Sequence, residues 1–186
     1  MAGAVDQRTA GGSPATRTAG GAPGTVSAAE LRHALGHLPT GVTVVTSLRA
    51  DGEPVGTTVS AVCSVSAEPA LLLVCLARSS DTLKAVLEHR QFAVNVLADG
   101  QHVLSSNFAR RGTDASWDGV DHGPLQTGLP RLTGTLAAFD CVVHDVFDGG
   151  DHEIVIGSVR DVHVEEHAQP PLLHWRGGYV RLVGDD

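Results

Sequence analysis

Hydrophobic positions along the chain fall mainly into short runs of strand length. GVTVVTSL (41–48) is rich in β-branched residues, ALLLVCLA (70–77) is continuously apolar, and FAVNVLA (92–98) repeats the pattern. Such runs, bounded by turn-forming residues, predict β-strands. Further strands are predicted over 55–65, 134–144, 152–164 and 171–182.

Helical signals are fewer and shorter. Ser27 and Glu30 form a capping box ahead of leucines at helical spacing, which predicts a helix that ends near Pro39. A second helix is predicted over 80–88 and a third in the first half of 99–118. Because turns of hairpin length join most of the predicted strands, the pattern favours a mainly antiparallel β-barrel with a few short helices.

Residues 1–26 differ from the rest of the chain. They are almost entirely Ala, Gly, Thr, Ser and Pro, and they hold too few large apolar groups to offset their ordering entropy. The segment also lacks the apolar region of a secretory signal. We therefore expect a disordered tail over 1–26 and one domain over 27–186, with a transit peptide as the minor alternative because of Arg8 and Arg17.

Composition excludes several classes of protein. A net charge of −8 leaves no basic excess to neutralise nucleic-acid phosphates. No run approaches the roughly 18 apolar residues of a membrane span. The odd number of cysteines, Cys63, Cys75 and Cys141, fits buried thiols in a reducing compartment better than disulfides, which predicts a cytoplasmic protein.

Familiar catalytic signatures are missing from the sequence. It contains no Gly-x-Gly-x-x-Gly, Walker loop, Gly-x-Ser-x-Gly or Cys-x-x-Cys. The pair His33 and His37 has helical spacing but no carboxylate-rich partner segment, and His163 and His167 fall on a predicted strand that separates them too widely for easy chelation. We therefore predict no metal site.

Hydroxyl groups concentrate where predicted strands end. They occur at Thr40, along 57–66 and in the turn 79–82, which also opens a predicted helix. Hydroxyls together with free N–H groups suit an anionic ligand with many oxygens, such as a nucleotide or flavin phosphate. Ordinary turn and cap chemistry is the alternative, because Ser, Thr and Asp are frequent at such positions.

Seven sequence blocks resemble one family when they are taken in order. They are PTGVTVVTS (39–47), GTTVSAVCSVSAEPALLLVCL (56–76), SSDT (79–82), FAVNVLA (92–98), SSNFAR (105–110), GDHEIVIGSV (150–159) and PLLHWRGGYVRL (171–182). Together they resemble the flavin reductase family with the FMN-binding split barrel, and more narrowly the reductase components of two-component flavin-dependent monooxygenases. The resemblance implies a Greek-key split β-barrel, usually a homodimer, that binds flavin near the subunit interface.

The resemblance also implies an activity. It is an NAD(P)H:flavin oxidoreductase that reduces flavin and releases it to a separate monooxygenase. No catalytic residue is strictly required, since the cofactors carry the chemistry. FAD is favoured over FMN by the resemblance to monooxygenase partners, and NADH over NADPH because no basic cluster for a 2′-phosphate is evident.

Candidate site residues follow from the same resemblance. Those expected to hold flavin are Thr40, Gly41, Val42, Thr58, Ser60, Ala61, the turn Cys63, Ser64, Val65 and Ser66, then Ser79, Ser80, Thr82, Phe108, Ala109 and Arg110. Those expected to lie near NADH are His152, Tyr179 and Arg181. This chain departs from the family pattern at two places. It has Ser60-Ala61 where family members often carry Asn-Ser, and Pro69-Ala70 where they often carry a double proline.

Two other functions are alternatives for the same barrel. One is a non-enzymatic protein that binds flavin or haem. The other is an oxidase of the pyridoxamine-phosphate type, which the single lysine, Lys84, argues against. With only 4% aromatic residues, few side chains can stack on a flavin ring, and the candidates are Phe108, Trp175 and Tyr179.

Overall fold

The computed structural model describes residues 26–110, 115–166 and 169–182. The helices in these ranges are α1 (Ala28–Leu35), α2 (Asp81–His89) and α3 (His102–Phe108). The strands are β1 (Thr40–Gly41), β2 (Thr43–Leu48), β3 (Pro54–Val59), β4 (Val62–Ala67), β5 (Ala70–Ala77), β6 (Gln91–Val96), β7 (His122–Pro124), β8 (Pro130–Leu132), β9 (Ala137–Asp148), β10 (His152–Val164), β11 (Leu173–Trp175) and β12 (Gly178–Val180).

A seven-stranded antiparallel sheet forms the body of the protein, in the order β3-β2-β6-β9-β10-β5-β4. A three-stranded sheet, β1-β11-β12, and a two-stranded hairpin, β7-β8, accompany it. The mainly antiparallel β architecture predicted from the sequence is therefore confirmed.

Closure of the large sheet follows from its connectivity. β3 and β4 lie on opposite edges of the sheet, yet only Ser60 and Ala61 separate them in the chain. Seven strands laid flat would place the edges about 29 Å apart, whereas the three residue steps from Val59 to Val62 reach at most about 11 Å. The sheet must therefore curl until its two edges approach each other at this junction, although β3 and β4 do not pair. We call the junction at Ser60 and Ala61 the seam.

Two apolar clusters fill the interior. The first surrounds Phe92 and Val94 inside the curled sheet, and the apolar face of α2 covers it with Leu83 and Val86. The second surrounds Phe108, near α3. Burial of these side chains is the main force that holds α2 and α3 against the sheet, whereas α1 has no buried residue.

Most predicted elements match the structure, and two exceptions have separate causes. The predicted strand 55–65 is divided at the seam, and residues 63–66, predicted as a turn, lie on β4. The segment 119–130, predicted as a loop, contributes β7 and the start of β8. The break in the first case follows from sheet closure, which local periodicity does not report. In the second case β7 and β8 pair with each other as a short hairpin whose three-residue strands carry no alternating apolar pattern.

Some predictions fall outside the described residues. The predicted tail does so except for Val26, and so does His167 of the second histidine pair. His163 lies on β10, as expected. In the part of the chain that the structure describes, no helix is long and apolar enough to cross a membrane, and no group of three or more His, Cys, Asp or Glu side chains could hold a metal ion.

Candidate functional site

The seam leaves backbone and hydroxyl groups open to solvent. Ser60 and Ala61 are exposed and lie outside the regular ladder, although the Ala61 carbonyl accepts a hydrogen bond of 3.0 Å from the Cys75 N–H. Beyond them β4 is an edge strand with a register shift between Ser64 and Ser66. Edge strands carry unpaired N–H and C=O groups, so the seam can bind a ligand through its backbone.

β1 offers a second approach to the backbone. Gly41 is exposed, and no atom of the described residues lies within 4 Å of the position that a Cβ would occupy there. Val42 differs, because it is 3% exposed, its N–H donates to the Leu172 carbonyl and its carbonyl accepts from the Leu97 N–H. Gly41 can therefore meet a ligand, whereas Val42 supports the strand from inside.

The turn before α2 supplies hydroxyls at a helix N-terminus. Ser80 is the N-cap residue, and its side chain makes no capping hydrogen bond. The first N–H groups of a helix also lack intrahelical acceptors, which favours binding of phosphate. Ser79 is exposed, but Thr82 is only 2% exposed and lies on the buried face of α2. Ser79 and Ser80 are thus the accessible members of the predicted turn.

α3 is fastened to β3 by residues that were expected to contact flavin. The Thr58 hydroxyl donates to the Ser105 carbonyl at 2.7 Å. Phe108 is 1% exposed, and its ring packs edge-on against Trp117 with 5.1 Å between centroids. The expectation that Phe108 stacks on a flavin ring is therefore wrong, because its ring is enclosed in the core. Ala109 and Arg110, which follow α3, are exposed.

Tyr179 and Arg181 lie around the same helix. The Tyr179 hydroxyl donates to Ser105 Oγ at 2.9 Å, while the Tyr179 side chain remains partly exposed on β12. In the register of the small sheet, Tyr179 is opposite His174, which is opposite Thr40. Arg181 forms an ion pair of 3.0 Å with Asp99. The structure therefore brings Thr40, Thr58, Tyr179 and the end of α3 into one group.

His152 belongs to a different group. It begins β10 directly opposite Ala77, the last residue of β5, and so lies beside the turn that holds Ser79 and Ser80. Its Nδ1 is 2.7 Å from Asp151 Oδ1, and its side chain is 43% exposed. No hydrogen bond, ion pair or ring contact among the described residues joins His152 to Tyr179 or Arg181. The expectation of one shared nicotinamide pocket therefore gains no support within a single chain.

Sequence reasoning missed two functional candidates. Arg78 lies immediately before Ser79 and forms ion pairs with Asp148 and Glu153, on either side of the turn that leads into His152. Ser105 joins β3, α3 and β12 through its carbonyl and its hydroxyl. The position of Arg78 beside the predicted turn was an available signal. The role of Ser105 depends on contacts with distant residues and had none.

A shallow depression elsewhere on the surface does not suit a flavin. It lies between the β2–β3 turn and α2, and Arg49, Asp51, Asp81, Lys84 and Glu88 contribute to its lining. Flavin sites need an apolar surface for the ring, and this lining is mostly charged. None of the predicted site residues contributes to it.

Thiol chemistry tests the placement of the seam. Cys63 on β4 is exposed, whereas burial, reinforced by the nearby Asp140 carboxylate, raises the pKa of Cys141 to about 12. Since the thiolate is the reactive form, iodoacetamide at pH 8 should alkylate Cys63 in the folded protein and leave Cys141 unmodified. Mass spectrometry of peptides measures both. Alkylation of Cys141 at the rate of Cys63 in the folded protein would contradict this structure, and denaturation in urea provides the control in which all cysteines react.

Comparison with known proteins agrees with the predicted family. The sequence model of the flavin reductase like domain matches residues 35–183. The flavin reductase (NADH) of Kitasatospora aureofaciens is 46% identical over 152 residues, which cover 79% of this chain and 78% of that protein. The reductase subunit HsaB of a flavin-dependent monooxygenase from Mycobacterium tuberculosis is 38% identical over 152 residues, with 81% and 80% covered.

Solved structures agree in fold. The NADH:FAD oxidoreductase SgcE6 of Streptomyces globisporus C-1027, in complex with NAD and FAD fragments, superposes with a TM-score of 0.78. It is 34% identical, and the alignment covers 84% of this chain and 93% of that one. The flavin reductase PheA2 is 35% identical with a TM-score of 0.77, over 86% of this chain and all of that one. The split-barrel fold predicted from the sequence is confirmed, and the chain belongs to the flavin reductase family.

Proposed function

We propose that the protein is an NADH-dependent flavin reductase that reduces FAD and supplies diffusible reduced flavin to a separate monooxygenase. The observation that carries this proposal is the seam, whose exposed residues lie against β5 through the bond from the Cys75 N–H to the Ala61 carbonyl. β5 leads directly into the turn of Ser79 and Ser80, where the Ser80 hydroxyl makes no capping bond to α2. Relatives named as an NADH flavin reductase and as a monooxygenase reductase subunit support it. FMN and NADPH are the less favoured cofactors.

The accessible residues fit a flavin nucleotide. Gly41, Ser60 and Ala61 present backbone for the ring edge and ribityl chain, as does the exposed edge of β4 over 63–66. Ser79 and Ser80 would meet ribityl and phosphate oxygens, and the exposed Arg110 would pair with phosphate. FAD, when bound, supplies the chemistry by accepting a hydride from the nicotinamide of NADH.

The protein's own part is to bind, to orient and to exclude water. Thr58 and Tyr179 hold α3 through Ser105, which sets the position of Ala109 and Arg110. The Asp151 carboxylate can only accept, so Nδ1 of His152 carries a proton and Nε2 is left for a ligand. Nε2 can form a hydrogen bond with the carboxamide group of nicotinamide, which offers both a donor N–H and an acceptor oxygen. No side chain has to transfer a proton.

A homodimer is part of the proposal. One face of the sheet carries a row formed by Phe147, Ile154 and Cys75, directly opposite one another on β9, β10 and β5. Phe147 is 51% exposed, and the leucines of α1 are exposed as well. Exposed apolar surface of this kind supports association with a second copy of the chain. In such a dimer, His152 of one copy can lie close to Tyr179 of the other. Light scattering of the purified protein measures the mass of the assembly.

We also propose that the functional domain comprises residues 27–186 and that it works in a reducing, cytoplasmic environment. Ser27 caps α1 with both hydrogen bonds of the predicted capping box, which supports a domain start at this residue. Cys63, Cys75 and Cys141 are free thiols, in keeping with a reducing compartment.

Spectrophotometry tests the activity directly. NADH is mixed with free FAD or FMN and a substoichiometric amount of protein, and absorbance at the nicotinamide band is followed. Steady oxidation of NADH is the expected result. Binding of flavin without turnover would overturn the proposal in favour of the non-enzymatic binder.

The role of His152 has its own test. His152→Ala is expected to raise KM for NADH about fivefold, because loss of one hydrogen bond costs about 1 kcal/mol. The affinity for FAD, measured by fluorescence titration, should stay unchanged. His144→Ala, which removes another exposed histidine of the same sheet, is the control and should behave as wild type. An unchanged KM for NADH in His152→Ala would remove this residue from the site.

A further inference from the structure

Arg78 lies where two separate parts of the chain meet. Its Nη2 is 3.1 Å from Asp148 Oδ2 and 3.0 Å from Glu153 Oε1. Its backbone N–H donates to the carbonyl of Asp151 at 3.0 Å. Arg78 thus contacts the last residue of β9, the turn itself and the second residue of β10. We call residues 148–153, which comprise the turn and the strand ends on both sides of it, the β9–β10 turn.

Arg78 also precedes the turn before α2, which holds Ser79 and Ser80. Ser79 and Ser80 follow Arg78 directly, and His152 lies in the β9–β10 turn between the two acidic partners of Arg78. Within that turn the Gly150 N–H donates to Asp148 Oδ1 at 2.8 Å, and this bond together with the Arg78 guanidinium lowers the pKa of Asp148. The Asp148 carboxylate therefore stays ionised well below neutral pH and keeps its pairing with Arg78.

Stability alone does not account for this arrangement. The Arg78 side chain is 47% exposed and its partner Asp148 is 78% exposed, while Glu153 is 20% exposed. Ion pairs at such positions contribute little to folding because water screens them. Two carboxylates on opposite sides of one turn do, however, fix the direction in which the guanidinium and its backbone point.

We propose that Arg78 is a positioning residue that sets the distance between the nicotinamide and flavin subsites. It does so by tying the β9–β10 turn, with His152, to the turn of Ser79 and Ser80. The inference rests on the proposed function, in which His152 meets NADH and the two serines meet flavin. Hydride transfer depends steeply on the separation of donor and acceptor, and a displacement of about 1 Å can lower its rate about 100-fold.

Four variants test the inference, and the fourth, Arg78→Lys, keeps the positive charge without the forked guanidinium. Arg78→Met keeps most of the apolar stem and removes both ion pairs. The double variant Asp148→Asn with Glu153→Gln keeps the arginine and removes its anionic partners. Lys84→Met is the matched control, because it removes one positive charge and an ion pair with Asp81 on α2. Hydrogen exchange of the ligand-free proteins, FAD affinity by fluorescence, and single-turnover reduction of FAD at saturating NADH are measured for each.

Positioning predicts the same outcome for the first two variants. Residues 148–153 should exchange faster, and the rate of FAD reduction should fall about tenfold, while the FAD dissociation constant changes less than threefold. Arg78→Lys should recover part of the rate. Lys84→Met should match wild type in all three measurements.

Two results would overturn the inference. If Arg78→Met weakens FAD binding more than tenfold while the double variant binds FAD as tightly as wild type or tighter, Arg78 contacts phosphate directly. If exchange and reduction rate are unchanged in both, Arg78 has no positioning role. Wild-type protein in the same assay separates these results from failure of the proposed function, because a wild type that does not oxidise NADH with FAD contradicts the function itself.

Discussion

Gly157→Ala is expected to destabilise the protein by about 3 kcal/mol, the upper end of the usual cost of overpacking a core. A Cβ at this position would lie 2.5 Å from Phe92 Cζ and 3.1 Å from Cys141 Cβ. Phe92 is fully buried at the centre of the first apolar cluster, so its ring has no free space to move into. Strand β10 would have to shift outward, at the register shift that already lies between Ile156 and Gly157.

Denaturation by urea, followed by circular dichroism, measures the loss. Gly123→Ala is the matched control, because no atom lies within 4 Å of a Cβ at that position and its free energy of unfolding should change by less than about 0.5 kcal/mol. Phe92→Leu added to Gly157→Ala should cost less than the sum of the two single changes, since the smaller side chain leaves room for the new methyl group. A wild-type midpoint for Gly157→Ala would contradict the close packing of β10 on Phe92.

Strands with strong local signals were predictable from the sequence. The continuous apolar run 70–77 corresponds to β5, and 152–164 to β10, with the predicted bounds. The capping box of Ser27 and Glu30 also forms as predicted, because its two hydrogen bonds involve residues only three positions apart. Local patterns predict what local contacts determine.

The seam was not predictable in the same way. Val59, Ser60 and Ala61 are all compatible with a continuous strand, and nothing in their order indicates a break. The break arises because β3 pairs with β2 at one edge of the sheet, while β4 pairs with β5 at the other. Closure depends on pairing between strands across the whole sheet, so the sequence around Ser60 and Ala61 carries no local signal for it.

In the candidate site, too, some features could be predicted from the sequence and others could not. The sequence identified hydroxyl-rich segments, but the choice among their members depends on distant partners. Thr58 donates to Ser105 and Thr82 is buried, whereas Ser80 makes no capping bond. The ion pairs of Arg78 reach residues about 70 positions away, so only the folded structure reveals them.

Asn95→Ala is expected to cost about 4 kcal/mol of unfolding free energy. Asn95 lies in the segment FAVNVLA and is fully buried. Its Oδ1 accepts from the Leu132 N–H at 2.9 Å, and its Nδ2 donates to the Val44 carbonyl and to Thr46 Oγ1, each at 3.2 Å. Alanine would leave the Leu132 N–H and the Val44 carbonyl without these partners in the core, and each buried polar group left unpaired costs about 1–3 kcal/mol.

If a carboxyl group replaces the amide at position 95, the loss of unfolding free energy depends on pH. In Asn95→Asp the protonated carboxyl can still accept from Leu132 and donate to Val44, whereas the ionised form faces the Val44 carbonyl with no proton to donate. Burial therefore raises the pKa of the new carboxyl above its ordinary value. The group is neutral in the folded state at low pH, and its stabilising bonds are lost as pH rises through the raised pKa.

Urea denaturation at pH 5 and at pH 8 tests both variants. Asn95→Asp should lie closer to wild type at pH 5 than at pH 8, while the loss in Asn95→Ala should be the same at both. Asn107→Ala is the control, because among the described residues that side chain makes a single hydrogen bond, to the Ser116 carbonyl, and it lies nearer the surface. Its cost should stay near 1 kcal/mol. If Asn95→Ala lowers the free energy of unfolding no more than Asn107→Ala does, the hydrogen bonds of Asn95 to β2 and β8 do not make the proposed contribution to stability.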